Sequence, residues 1–202
     1  EFDTPPEVFA PVFRFLRREG IRHFTYHAGE DFHHILSGMR AIFEAILFTG
    51  MNSGDRIGHA VASGLSPIQW FNAVGKKILI ARGEWLDSLL FVRHLAIISS
   101  LENWSNIHDK LEKNIAVLSK QVYGKDYSLN ELEQAWLHRM YEPMLVFASN
   151  RQAAVNLSVF NEHEWLDIQK QKITAGTLEI MRRYHSLAFR RSYEEIIEIK
   201  TD

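Results

Sequence analysis

Two histidines and a glutamate carry the clearest chemical signal in this sequence. They lie in two short segments, Thr25 to Glu30 (Thr-Tyr-His-Ala-Gly-Glu) and Arg56 to Ala60 (Arg-Ile-Gly-His-Ala), as His27, Glu30 and His59. Imidazole is a good zinc ligand and transfers protons near neutral pH. A carboxyl group beside a metal or in a dry pocket can act as an acid. If the three groups converge, they predict a site that binds a metal and transfers protons.

The elements around these residues indicate how they would meet. Residues 21–28 and 56–61 are rich in β-branched and aromatic residues and are predicted strands. An amphipathic helix is predicted between them, with Asp31 as its N-cap, and another before them that starts at Pro5-Pro6 and ends at Gly20. This order is typical of the βαβ unit of a parallel sheet or barrel.

In a (β/α)8 barrel, residues at the carboxyl ends of the strands face the active site. His27 and His59 each lie near the end of a predicted strand, and Glu30 follows His27 across Gly29, which permits a sharp backbone turn. Two imidazoles and one carboxyl group are therefore expected at one mouth of the barrel. Histidines and glutamates also occur at strand ends by chance, so the residue types alone leave a purely structural role open.

The paired motifs His-Ala-Gly-Glu and Arg-Ile-Gly-His resemble those of the adenosine deaminase family of the amidohydrolase superfamily. In that family the two motifs close the fifth and sixth strands of a (β/α)8 barrel, in this order. The resemblance covers residues 1–71. It implies an α/β fold in which residues 1–72 form a partial barrel, from about strand four to strand six, that carries the catalytic motifs.

The resemblance also implies a role for each residue. His27 resembles the zinc ligand of strand five, Glu30 the acid that protonates N1 of the purine ring, and His59 the histidine that orients the zinc-bound hydroxide. Gly29 and Asp3 resemble substrate-binding positions, Asp3 near the purine-binding loop after strand four. The implied reaction is zinc-dependent hydrolytic deamination of adenosine or an adenine nucleotide to the inosine form, by attack of hydroxide on C6.

The chain departs from the family pattern in three ways. The usual final glycine of the second motif is Ala60 here, which could narrow the pocket. The His-x-His motif of strand one, which supplies two further zinc ligands, is absent, and so is the Ser-x-x-Asp-Asp motif of strand eight. Because zinc sites normally use at least three protein ligands, we expect this chain to be an internal piece of a longer deaminase that supplies only part of the site.

The rest of the chain, residues 73–202, is predicted to be a helical insertion or subdomain, so the fold is helix-dominated by content. Predicted helices cover residues 69–100, with breaks at Gly75 and Gly83, then 103–123, a segment from 128 to Pro143, and 161–191. Ser128 and Glu131 form a capping-box signature. A last short strand is predicted at residues 196–200. The remaining histidines, including the adjacent His33 and His34, lack metal-ligand spacing and are assigned core or surface roles.

Two further interpretations stay open. The segment Asp3 to Pro11 (Asp-Thr-Pro-Pro-Glu-Val-Phe-Ala-Pro) and the size of the helical insertion resemble the deaminase component of the RADAR antiphage system. This resemblance implies a large homo-oligomer acting on an adenine nucleotide or an RNA adenosine. Alternatively, the chain is a non-catalytic binding or oligomerisation module with a degenerate amidohydrolase barrel. The exact substrate, whether adenosine, AMP, a free base or an RNA adenosine, is not decided by the sequence.

Composition narrows the classes of site and partner. None of the 202 residues is cysteine, which excludes disulfides, thiolate zinc sites and cysteine nucleophiles in this chain. The net charge of -2 gives no strong basic field, so a nucleic-acid partner is not indicated by charge. No run of about 18 apolar residues occurs, which predicts no membrane span. We expect a cytoplasmic location.

Overall fold

The computed structural model describes residues 4–100, 104–157 and 160–200. Helices dominate these residues, as predicted, and the strands are few and short. The helices are α1 (Pro6–Arg18), α2 (Ile35–Phe48), α3 (Val61–Gly64), α4 (Pro67–Val74), α5 (Arg82–Ser99), α6 (Trp104–Tyr123), α7 (Leu129–Leu137), α8 (Pro143–Phe147), α9 (Arg151–Val155), α10 (Glu162–Lys170), α11 (Ala175–Tyr184) and α12 (Leu187–Glu194). A 3-10 turn, His138–Met140, follows α7.

Strands β1 (Thr25–Ala28) and β2 (Arg56–His59) pair in parallel, with α2 connecting them. The predicted β-α-β order is confirmed, but both strands are shorter than predicted. Residues 21–24 have no regular structure, and β2 ends because Ala60 adopts a left-handed conformation (φ 48°) and α3 begins at the next residue. Two strands do not by themselves make a barrel, so the partial barrel stays a prediction.

Helix α2 is capped by His34, not by Asp31 as predicted. The Nδ1 atom of His34 accepts a hydrogen bond of 3.0 Å from the backbone N–H of Leu36. The Ser37 hydroxyl lies 3.3 Å from the backbone N–H of His34 and completes a capping box. The helix therefore starts three residues later than an Asp31 cap would place it, which leaves a loop of residues 29–34 after β1.

The chain forms a second sheet, of which the sequence predicted only one strand. Strand β3 (Lys77–Ala81) pairs antiparallel with β4 (Ile196–Lys200), and Arg82 forms two contacts of 2.6 and 2.8 Å with the Glu195 carboxylate beside them. The strand predicted at residues 196–200 is confirmed, whereas the continuous helical pattern predicted through residues 77–81 is wrong. Isoleucines at alternate positions of both strands pack on two tryptophans: Ile78, Ile80, Ile197 and Ile199 on Trp70 and Trp85.

Helices α5 to α12 form the main hydrophobic core. Trp136 of α7 is fully buried within it. The capping box at Ser128 is confirmed, with Ser128 and Glu131 each bonding the other's backbone N–H. The single helix predicted over residues 161–191 is wrong, because the chain forms α10, α11 and α12 there. Thr174 starts α11 afresh by accepting a hydrogen bond from the backbone N–H of Thr177.

The helical core packs directly on the segment that carries the two motifs. The Glu44 carboxylate of α2 accepts a hydrogen bond of 2.6 Å from the indole N–H of Trp136 and pairs with Arg40 at 2.7 Å. From α1, Arg14 donates to the carbonyl of Phe48 and to the carboxylate of Glu164, each at 2.7 Å. Within the described ranges, no helix combines the length and apolar character needed to cross a membrane.

Candidate functional site

The structure brings His27, Glu30 and His59 together at the carboxyl ends of β1 and β2. One ligand atom from each residue lies within 4.8 Å of the others. The Nε2 atom of His59 is 3.0 Å from a carboxylate oxygen of Glu30, and the two imidazole rings have centroids 5.0 Å apart. In the part of the chain that is described, no other group of three His, Asp or Glu residues meets this spacing.

Gly58 makes room for the ring of His27. The two residues are direct partners in the parallel pairing of β1 and β2. A β-carbon at position 58 would lie only 1.7 Å from the Cδ2 atom of His27, far inside van der Waals contact. The sequence shows this glycine only as part of the second motif, and its role is visible only once the strand register is known.

The backbone at the end of β2 holds a sparsely populated conformation. His59 and Ala60 have φ angles of 60° and 48°, a left-handed pair that side chains with a β-carbon rarely adopt. Hydrogen bonds fix this turn: the N–H of Ala60 donates to the carbonyl of Ala28 at 3.1 Å, and the Ser63 hydroxyl donates to the carbonyl of Ala60 at 2.7 Å. Such conformations cluster at functional sites, where the surrounding structure maintains them.

Gly29 shapes the loop that carries Glu30. Its φ angle is 75°, and a β-carbon there would lie 2.5 Å from the side chain of Ile42. Its carbonyl accepts a hydrogen bond of 2.9 Å from the N–H of Ala62, which ties the loop to the start of α3. The substrate contact predicted for Gly29 stays a prediction. Asp3, the other predicted substrate-binding residue, lies outside the described residues.

The donor set and the exposure of the site bear on what it can hold. Two imidazoles and a carboxylate are ligands that zinc accepts, and in a tetrahedral site such atoms stand about 3.3 Å apart. The side chains would therefore close by roughly an ångström around an ion. The His59 and Glu30 side chains are 52% and 30% exposed, so water and ions reach them. If all three side chains bound zinc, Glu30 and His59 would not be free for proton transfer.

The loop of residues 29–34 also contacts α5. The Nδ1 atom of His33 lies 3.0 Å from the carboxylate of Glu84. His34 is buried, and its ring packs edge-on against Trp70 and Trp85, with centroids 5.0 and 4.9 Å away. Burial lowers the pKa of His34 to about 4, so its ring stays neutral near pH 7 and Nδ1 remains able to accept the capping hydrogen bond.

A large cavity lies on the other side of β1. It is a cleft of about 800 Å³ whose wall includes Tyr26 and Ala28, the neighbours of His27 along the strand. Because successive side chains of a strand point to opposite faces, His27 points away from this cleft. None of the three site residues lines it. This cleft is therefore not the place where His27, Glu30 and His59 meet.

A buried charged network borders this cleft. Arg139 of the 3-10 turn forms two contacts, of 2.6 and 3.0 Å, with the fully buried Asp87 carboxylate, and its guanidinium stacks 3.7 Å from the centroid of the Tyr184 ring. The Tyr184 hydroxyl donates to Glu7 of α1 at 2.6 Å. Burial raises the pKa of Glu7 to about 7, while Arg139 and this hydrogen bond act in the opposite direction.

Comparison with known proteins gives no family assignment. No protein-family model matches this chain, and no curated protein matches it. The geometry of the described residues is therefore the basis for a functional assignment.

Proposed function

We propose that this chain supplies part of the active site of a zinc-dependent hydrolase that deaminates adenosine or an adenine nucleotide to the inosine form. The single observation that carries the proposal is the meeting of His27, Glu30 and His59 at the ends of two adjacent parallel strands. The resemblance of the two motifs to adenosine deaminases supplies the reaction. The partial barrel and the remaining zinc ligands, contributed from outside this chain, are parts of the same proposal.

In the proposed reaction each residue has one task. His27 would hold the zinc ion, which when bound lowers the pKa of a water molecule towards 7. Glu30 would donate a proton to the ring nitrogen N1, because an adenine ring is a poor electrophile until N1 is protonated. His59, 3.0 Å from Glu30, would orient the attacking oxygen and accept its proton. Attack at C6 would form a C–O bond, and His59 would pass the proton it accepted to the 6-amino group. The C6–N bond would then break to release ammonia, while the C6 hydroxyl would return a proton to Glu30 and become the carbonyl of the inosine form.

The exposure of the site supports the need for further covering elements. Hydrolytic sites gain from the exclusion of bulk water, which strengthens electrostatic interactions with the transition state. With half of the His59 side chain exposed, this chain alone does not provide that exclusion. We therefore expect little or no deamination by the isolated chain, and activity only where the remaining ligands and covering elements are supplied.

The test uses the Glu30→Gln variant of a protein that contains this chain together with the remaining zinc ligands. We expect the variant to bind zinc as the wild type does, measured by elemental analysis after dialysis, and to lose adenosine deamination, measured by ammonia release. Glutamine keeps the shape of the side chain but cannot donate the acid proton. Wild-type turnover in Glu30→Gln would overturn the proposal.

A second candidate is a non-catalytic module that assembles through its helices. The observation that favours it is the set of half-exposed isoleucines where α5 ends and α6 begins: Ile97, Ile98 and Ile107. Exposed apolar side chains grouped in this way are common at protein interfaces. Light scattering across a concentration series, with and without zinc, together with an assay of ammonia release, discriminates between the two. Assembly without any metal dependence favours the module, whereas zinc-dependent deamination favours the enzyme.

A further inference from the structure

The loop of residues 29–34 carries Glu30 between two fixed points. At its start, the carbonyl of Gly29 accepts the hydrogen bond from Ala62 that ties it to α3. At its end, His34 caps α2 and is buried. Between these points the backbone belongs to neither helix nor strand. The placement of the Glu30 carboxyl group therefore depends on its contact with His59 and on what else holds the loop.

The first turn of α5 touches the loop at two successive residues. His33 lies 3.0 Å from Glu84, whose side chain is only 16% exposed. His34 packs on the ring of Trp85, the next residue of α5. Trp85 in turn packs on the isoleucines of β3 and β4. It is therefore held by elements of residues 73–202, the helical part of the chain. These two contacts join the loop to an element about fifty residues further along the chain.

We infer that Glu84 and Trp85 are positioning residues for Glu30, through which the helical part of the chain sets the geometry of the candidate site. Neither residue is among the groups expected to touch substrate or zinc. The catalytic consequence rests on the proposed function, because it assumes that Glu30 is the acid. The mechanical part, that α5 holds the loop, rests on the contacts alone.

The first test measures the loop directly by amide hydrogen exchange. The amides of Leu36 and Ala62 report the two ends of the loop, since they donate to His34 Nδ1 and to the Gly29 carbonyl. In Glu84→Ala we expect both to exchange about two- to fivefold faster, the factor expected for loss of one partly exposed side-chain hydrogen bond. The amide of the buried Ile115 in α6 serves as the internal reference for global opening.

Two variants make this test specific. Glu84→Gln retains an oxygen that accepts from His33 Nδ1, so it should restore the wild-type exchange rates. Glu198→Ala removes another acidic side chain from an exposed pair, with Lys77 on the β3–β4 sheet, and should leave the loop amides unchanged. Unchanged exchange at Leu36 and Ala62 in Glu84→Ala would overturn the inference, whatever the protein catalyses.

The second test measures turnover where the wild type deaminates adenosine. Glu84→Ala should lower kcat about tenfold while KM stays within about twofold, because misplacing the acid affects the transition state more than substrate binding. Glu84→Gln should recover most of the loss. A wild-type kcat in Glu84→Ala contradicts the catalytic part of the inference. Absence of deamination by the wild type when the remaining ligands and covering elements are supplied overturns the proposed function alone, and the exchange experiment still decides whether α5 holds the loop.

Discussion

At the scale of single residues, the candidate site depends on two positions that have no functional group. Gly58 leaves space for the His27 ring, and Ala60 occupies a backbone conformation that favours glycine. Both positions act on the imidazoles through sterics and backbone geometry. Each can therefore be changed without replacing His27, Glu30 or His59 themselves.

Substituting Gly58 tests the spacing of the two histidines. In Gly58→Ala, the new methyl group would overlap the His27 ring and force it away from Glu30 and His59. We expect zinc affinity to fall about 10- to 100-fold, the range seen when groups that orient a ligand are lost. Titration calorimetry of the protein in which the remaining zinc ligands are supplied measures the change. The matched control is Gly64→Ala, where a β-carbon meets nothing within 4 Å; equal affinities for the two variants would contradict the prediction.

Substituting Ala60 tests the strain at the end of β2. Glycine adopts the left-handed conformation without the steric cost that alanine has, although it loses more backbone entropy on folding. Ala60→Gly should therefore raise the free energy of unfolding by about 0.5–1 kcal/mol. Urea denaturation measures this. A variant less stable than the wild type would show that the turn is not strained at φ 48°.

At the scale of elements, the start of α2 connects the site to the rest of the fold. His34 caps this helix, packs on two tryptophans and follows the loop that carries Glu30. Most caps are serine, threonine, aspartate or asparagine. An uncharged histidine in this role makes the helix start sensitive to acid, because a protonated Nδ1 cannot accept a hydrogen bond.

The His34 cap predicts a pH dependence of stability. The folded-state pKa of His34 is lowered to about 4 from an ordinary value of 6.5, so the unfolded chain binds the proton more readily. Stability from this group is complete above pH 6.5 and is lost as the pH falls towards 4. In His34→Asn, which keeps a capping oxygen, the decline of the unfolding free energy from pH 6.5 to 4 should be shallower. The exposed His163→Asn should leave the decline as in the wild type, and an unchanged slope in both would contradict the prediction.

The elements also show where sequence reasoning succeeds and where it fails. The capping box at Ser128 and the β-α-β order around the two motifs are local patterns, and the structure confirms them. Strand β3 was missed because its partner, β4, lies at the far end of the chain, and a short apolar run has no period that separates strand from helix. The contact between His33 and Glu84 could not be predicted for the same reason, since the two residues are 51 positions apart.

At the scale of the whole molecule, the first and last parts of the described chain meet at a protonatable group. Glu7 of α1 accepts a hydrogen bond from Tyr184 at the end of α11, which stacks on the buried Arg139–Asp87 pair. The carboxyl group is half-buried beside the 800 Å³ cleft. Its ionisation therefore affects the packing between the N-terminal helix and the C-terminal helices.

Replacing Glu7 by glutamine tests this junction. Since the folded-state pKa is raised to about 7 from 4.5, the folded chain retains a proton that the unfolded chain has lost. The stabilisation is present below pH 4.5 and is lost as the pH rises through 7. Glu7→Gln keeps an oxygen for Tyr184 and removes the ionisation, so it should unfold a few degrees higher than the wild type at pH 8 and at the same temperature at pH 4. A thermal scan at both pH values decides; a variant less stable at pH 8 contradicts the prediction.

Trp136 is an intrinsic fluorescent probe of the packing between α2 and α7. It is fully buried, its indole N–H is bonded to Glu44 of α2, and the ring of Phe43 stacks 6.0 Å away. An indole in such surroundings fluoresces at shorter wavelength than one in water, and the nearby carboxylate and His94 ring are potential quenchers of it. A red shift in its emission would signal the separation of α2 from α7. Because the other four tryptophans also fluoresce, replacing them would allow the emission of Trp136 alone to be followed over time.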